Sequence, residues 1–249
     1  MSGHSKWATI KRKKGKLDAA RGRVFTRLIK EITVAARAGG GDPDANARLR
    51  TAIATGKAAN MPADNIKKAI QKGTGELPGV SYEEASFEGY GPSGVAVYID
   101  VLTDNRNRTV SEVRHLFQRF GGNLGENGCV AWMFEKKGII TVDKKNVNED
   151  ALIEAALDAG AVDVSSTEDA FEVTTEPGSL EQVRAVLEKN SYPILGAEVQ
   201  RLPQNTVKLD RKGAETMLKM MEALEEHDDV QQISANFDID DKLMDELSA

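Results

Sequence analysis

A single cysteine, Cys129, gives this chain no partner for an intramolecular disulfide and no thiolate set for a zinc site. Histidine is nearly as scarce. His4, His115 and His227 stand in unrelated stretches with no acid or thiol at ligand spacing, so neither a metal nor a cofactor is expected. No apolar run approaches the roughly 18 residues of a membrane span, and the start lacks the apolar core of a secretory signal; cytoplasmic localisation away from membranes is the expectation. The basic, acid-poor start has the composition of a mitochondrial transit peptide, but Gly15 and the KRKK block interrupt the amphipathic pattern such a peptide needs. There is no G-x-x-x-x-G-K-[ST] phosphate loop and no nucleophile elbow. Gly89-Tyr90-Gly91-Pro92-Ser93-Gly94 matches G-x-G-x-x-G in letters only, because the strand-like VAVYIDVL follows where a dinucleotide site needs a helix; it reads as a β-turn. Asp238, Asp240 and Asp241 fall short of a calcium loop, since Lys242 occupies a ligand position and the turn glycine is missing. These absences together argue against an enzyme.

What the chain does have is charge, unevenly spread. Its formal net charge is −6, yet residues 1–75 hold seventeen Lys and Arg against five Asp and Glu, a formal +12, while the other 174 residues stand at −18. A basic end on an acidic body is the electrostatic signature of a polyanion binder. The candidate nucleic-acid-binding residues are Lys6, Lys11, Arg12, Lys13, Lys14, Lys16, Arg21, Arg23, Arg27 and Lys30 in this run, with Trp7 among them. Two readings of Trp7 stand side by side: stacking on a base, or packing into the helical core. Arg106 and Arg108 complete the set. They sit at a helix start, where backbone N–H groups favour phosphate, with Arg114 and Arg119 further along the same helix.

Along the chain, residues 1 to about 16 read as an extended arm. A helical period follows over Asp18–Ala38, with Phe25, Leu28, Ile29, Ile32 and Ala36 on one face and Arg23, Arg27, Lys30 and Arg37 on the other; Val34 is the exception, lying among the cations. Gly39–Gly41 should end it, Asp42-Pro43 should start a second helix, and ADNIKKAIQK should form a third that stops at Gly73. GTGELPGVS reads as a linker. The period then becomes two: EASFEGYG and GVAVYIDVLT are strands, Thr109 with Glu112 suggests a capping box, and CVAWMFE suggests a buried strand. Residues 138–202 spell strand, helix, strand, strand, helix, strand, the split βαβ plan. The acidic helix over 215–229 reads either as a solvated face or as a region that repels phosphate and turns the ligand toward the basic end. An α+β fold results: an N-terminal three-helix domain over 1–75, a discontinuous α/β domain over 82–135 plus 205–240, and an inserted ferredoxin-like α/β domain over 136–204.

The stretches GHSKWATIKRKKGKLDAARGRVFTRLIKE, YEEASFEGYGPSGVAVYIDVLTDNRNRT and GGNLGENGCVAWMFEKKG, within a likeness that runs essentially the full length, resemble the YebC family. The resemblance implies three domains and a cytoplasmic protein without catalytic activity. It also implies one of two roles: a DNA-binding transcriptional regulator, or a ribosome-associated factor that, like the family's mitochondrial translational activators, helps translation, here through proline-containing stretches. The partners expected are therefore DNA or ribosomal RNA, the ribosome among them, with a monomer assumed.

Overall fold

The apolar period after the basic arm winds into α1, Leu17–Gly39, the first element of the residues 17–167 and 170–248 that the computed structural model describes. It stops where glycine permits a left-handed residue: Gly40 takes φ +87° and its N–H bonds back to Ala36 O at 2.9 Å. Two shorter helices follow, α2 (Ala47–Ala58) and α3 (Ala63–Thr74), and Ile32, Ala36, Leu49, Met61 and Ile66 belong to the core the three share.

Two boundaries differ from the sequence expectation. Asn46, not Asp42, caps α2: its side chain accepts from Leu49 N and donates to Ala35 O and Gly40 O, so it serves the end of α1 and the start of α2 together, which an acid cannot do. Gly73 lies inside α3 at its crossing with α1, and the left-handed stop falls to Gly75 at φ +83°. A Cβ at Gly73 would stand 2.5 Å from Thr33 O and 2.7 Å from Ala36 Cβ. Gly73→Ala should therefore lose about 1–2 kcal/mol in denaturant unfolding, overpacking outweighing the gain of roughly 1 kcal/mol in helix propensity. A stabilised variant would show that the close crossing is not needed.

After a mostly exposed stretch at 75–81, β1 (Glu83–Tyr90) and β2 (Ala96–Thr103) pair antiparallel from Glu83↔Thr103 to Tyr90↔Ala96. Their connection is the expected turn, with Ser93 at φ 60° and Gly94 at φ +76°. The next helix, α4 (Arg106–Arg119), begins a turn earlier than a Thr109 cap predicts, because Asn105 accepts from Arg108 N at 3.1 Å and is the cap. Then comes β3 (Asn123–Leu124). CVAWMFE is not one strand: Ala131–Met133 is a 3-10 turn, Trp132 is 63% exposed, and β4 (Phe134–Asp143) starts only at Phe134. The cause is Glu88. Its buried carboxylate accepts the N–H groups of Gly128, Val130 and Ala131 at 2.7–2.9 Å, taking donors that a strand ladder would have used.

β4 opens the second of two compact units, Met133–Gln204, which continues through α5 (Glu149–Asp158), β5 (Ala161–Ser166), β6 (Ala170–Thr175), α6 (Leu180–Lys189) and β7 (Ile194–Pro203). Its antiparallel sheet runs β5-β6-β4-β7, the split βαβ order. Ile140, Val142, Phe171 and Val173 share a core with Leu152, Val183 and Leu187 of its helices.

The other unit is Met1–Trp132 with Asn205–Ala249. Its last elements are β8 (Val207–Lys208), α7 (Arg211–Glu225), β9 (Val230–Ala235), β10 (Phe237–Asp238) and α8 (Asp241–Ser248). β9 joins beside β2, giving the antiparallel order β3-β1-β2-β9 with the hairpin in the middle. Alternate residues of β2, Val97, Ile99 and Val101, point into one core with Phe117 of α4 and Met217 and Met221 of α7. Met244 of α8 joins it, so this unit reaches past residue 240. The fold class is as read from the sequence, a helical N-terminal region followed by α/β parts with antiparallel sheets. No described helix is long and apolar enough to cross a membrane.

Candidate nucleic-acid interface

A phosphate-binding surface needs cations that reach solvent and are not already neutralised. The expectations for Lys6, Trp7, Lys11, Arg12, Lys13, Lys14, Lys16 and the Arg21 side chain lie outside the described residues. Arg23, Arg27 and Lys30, at i, i+4 and i+7 of α1, are described, and all three turn toward the end of α7 and the loop after it. Arg23 stands 3.5 Å from Glu226, Arg27 donates to Glu225 O, and Lys30 Nζ donates to Asp228 O at 2.9 Å and to Asp229 Oδ1 at 2.6 Å. The partial negative charge of a helix C-terminus, reinforced by Glu225, Glu226, Asp228 and Asp229, is where cations are most favoured. Lys30 is 7% exposed and Val34, one turn on, 8%. The cationic side of α1 is therefore buried around Lys30 and Val34, while Arg37 on the same side is exposed.

Asp229, 3% exposed, is the centre of this contact. Its Oδ2 lies 2.8 Å from Arg108, 2.7 Å from Thr109 Oγ1 and 3.1 Å from Thr103 Oγ1, and both threonines are fully buried. This is why Thr109 does not cap α4: its hydroxyl serves a carboxylate 120 residues away. The Asp229 N–H donates to His227 Nδ1 at 3.1 Å, leaving Nε2 to donate to Glu112 at 2.8 Å. Burial alone would raise the Asp229 carboxyl, but the hydrogen bonds from Lys30, Thr109 and Arg108 and the Lys30 charge hold it well below the usual carboxylate range. Arg108 also pairs with Asp104 at 2.8 Å, and hydrogen bonds to these two acids raise its own pKa. The structure thus gathers Arg23, Arg27, Lys30 and Arg108 around one acidic segment.

Arg106 is placed differently. It projects with Arg114, two turns further along α4, into a groove of about 410 Å³ whose opposite wall is Gly125–Asn127 and whose floor includes Phe87, Val110 and Leu124. Both arginines are exposed, and among the described residues no carboxylate lies within 4 Å of either. The wall is fixed from behind by the Glu88 bonds, by Gly125 N–H to Glu88 O at 2.8 Å, and by Gly128 at φ +90°. Sequence reasoning had no access to Glu88, because nothing in EASFEGYG marks one of its acids as buried. Cys129 in the same loop is half-buried, and burial, then Glu88, push its thiol up, which makes it a poor nucleophile. Among the described residues no group of three or more His, Cys, Asp or Glu is placed to hold a metal ion.

Comparison with known proteins gives a consistent picture. A family model described as "TACO1/YebC protein N-terminal domain" matches residues 5–76, and one described as "TACO1/YebC second and third domain" matches residues 82–237. A protein of Syntrophus aciditrophicus named "Probable transcriptional regulatory protein" is 58% identical over 100% of both chains. A protein of the same name from Pelotomaculum thermopropionicum is 59% identical over 97% of this chain and 100% of its own. The crystal structure of a conserved hypothetical protein from Aquifex aeolicus superposes with a TM-score of 0.84 at 51% identity, covering 91% of this chain and 93% of that one.

Proposed function

This chain belongs to the TACO1/YebC family, and from that premise we propose that it is a non-enzymatic regulator of gene expression that acts in the cytoplasm by binding nucleic acid, in the first instance as a DNA-binding transcriptional regulator. The names of its relatives support the regulatory part. The observation that carries nucleic-acid binding is the segregation of charge, +12 in residues 1–75 against −18 in the remainder. We assign residues 1–75 as the binding domain. The phosphate contacts are Lys6, Lys11, Arg12, Lys13, Lys14, Lys16 and Arg21, with Trp7 stacking on a base, and Arg106 is a further contact outside this domain. Arg23, Arg27, Lys30 and Arg108, already engaged by carboxylates and carbonyls, hold the fold instead.

A second reading, a ribosome-associated translation factor that contacts ribosomal RNA, is favoured by one observation. The cationic side of α1 is packed against 225–229, so α1 is not free to lie in a major groove as a recognition helix. Crosslinking in cells followed by sequencing of bound DNA and RNA separates the two: promoter DNA supports the first, ribosomal RNA the second, and recovery of neither overturns both. In solution the affinity for duplex DNA should fall with a log–log salt slope of about −5, for roughly six neutralised phosphates. A slope near zero would remove the electrostatic basis of the proposal.

A further inference from the structure

We propose that the groove between α4 and the Gly125–Asn127 loop holds an unpaired base of a single-stranded nucleic acid, with the neighbouring phosphates of that strand on Arg106 and Arg114. This deepens the nucleic-acid reading above and rests on it. The two arginines are eight residues apart on one helix, about 12 Å along its axis. That is too far for the two to grip one phosphate closely, and it suits two separate phosphates of a chain rather than a free anion. Both are exposed, whereas Arg108, on the adjacent face, is held by Asp104 and Asp229.

Between the arginines the surface changes character. Within a largely polar groove, the partly buried Val110 and Leu124 form an apolar patch, with Phe87 buried beneath them at 4% exposure, and about 410 Å³ is the size of a small-ligand site. A duplex presents only its backbone to such a hollow, while an unpaired base can lay its apolar face on it. The rim supplies Asn107, Asn127 and Glu126. Amides and a carboxylate can hydrogen-bond a base edge, and the carboxylate disfavours a phosphate at that wall, which sets the polarity of the site: phosphates toward α4, base toward the loop. The loop is already in place, fixed through its backbone by the buried Glu88, so binding does not have to order it.

The full-length protein should be titrated by fluorescence anisotropy with a 12-nucleotide single strand, as RNA and as DNA, with the same strand in a duplex, and with an abasic strand of equal length. Arg106→Ala with Arg114→Ala should weaken single-strand binding roughly tenfold and make its salt slope shallower by about 1.4, two contacts at about 0.7 each, while duplex binding, which loses only the Arg106 phosphate contact, falls by about threefold or less. The unmodified protein should bind the abasic strand at least roughly tenfold more weakly than the intact one, since it loses the base in the groove together with the one on Trp7. The RNA and DNA strands then identify which backbone the groove prefers. Equal losses on single strand and duplex, no loss at all, or abasic binding as tight as intact binding would each overturn the groove while leaving nucleic-acid binding in place. Failure of the unmodified protein to bind any of the four would overturn the functional reading with it.

Discussion

Exchanging Lys11, Arg12, Lys13 and Lys14 together for Glu should abolish most nucleic-acid binding and leave the fold intact. The change shifts the formal charge by −8 in four consecutive residues, enough to reverse the sign of the local field. It removes no apolar side chain and so takes nothing apolar from the helical core of Ile32, Leu49, Met61 and Ile66. At roughly 1 kcal/mol or less per exposed contact, with the new repulsion added, affinity should drop by about 3–5 kcal/mol at low salt, a hundredfold or more. Circular dichroism should be unchanged. The same variant divides the two functional readings in cells: a ribosome-associated factor should leave the ribosomal fractions of a sucrose gradient, whereas a promoter-bound regulator should not have been enriched there. Unchanged binding to both DNA and ribosomes would reduce the KRKK block to a solubility feature.

Elements fixed by local periodicity were legible in the sequence. The βαββαβ run of 138–202, the β1–β2 hairpin and its Pro92–Gly94 turn depend on alternation and turn chemistry that lie within a few residues of one another. The errors fell where a distant partner decided the outcome. Thr109-x-x-Glu112 satisfies the pattern of a capping box, yet Asp229 takes the Thr109 hydroxyl and Asn105 caps the helix. CVAWMFE is apolar enough for a strand, but the Glu88 carboxylate on β1 folds its first half into a turn. Gly73 has the composition of a helix stop and is instead a point of close approach between α1 and α3.

Charge was legible as an amount and not as a location. The basic α1 and the acidic 215–229 stretch read as separate regions of opposite field, and the structure joins them, so that Arg23, Arg27 and Lys30 neutralise Glu226, Asp229 and the carbonyls around them. The formal +12 of residues 1–75 therefore overstates what a ligand meets. One signal was present: Val34, an apolar residue among the cations of α1, is buried beside Lys30 because that side of the helix faces protein. The groove was half legible, since Arg106 and Arg114 can be read from their helix whereas the wall facing them depends on the unmarked Glu88.

Asp229→Ala should be strongly destabilising although it removes no apolar side chain. It leaves the Lys30 ammonium, 7% exposed, without its counter-charge, and it takes one acceptor from the buried hydroxyls of Thr103 and Thr109, which keep each other and Asn105 as partners. Breaking a buried pair from one side costs about 3–5 kcal/mol. For a chain of this length that lowers the melting temperature by roughly 10–15 °C. The wild-type contribution also has a definite pH dependence. The folded carboxyl lies below its unfolded value, so the stabilisation is fully present above the unfolded pKa of about 4 and is lost as pH falls through the folded pKa. Wild type should accordingly lose stability more steeply than Asp229→Ala as the pH falls below about 4. Removing both charges, Lys30→Met with Asp229→Leu, should recover most of the loss, because no uncompensated ion then remains buried. A melting temperature for Asp229→Ala within about 1 °C of wild type would mean that this network does not hold α1 in place. An equally unstable double variant would mean that the four-way hydrogen bonding at the carboxylate, rather than the ion pair, carries the energy.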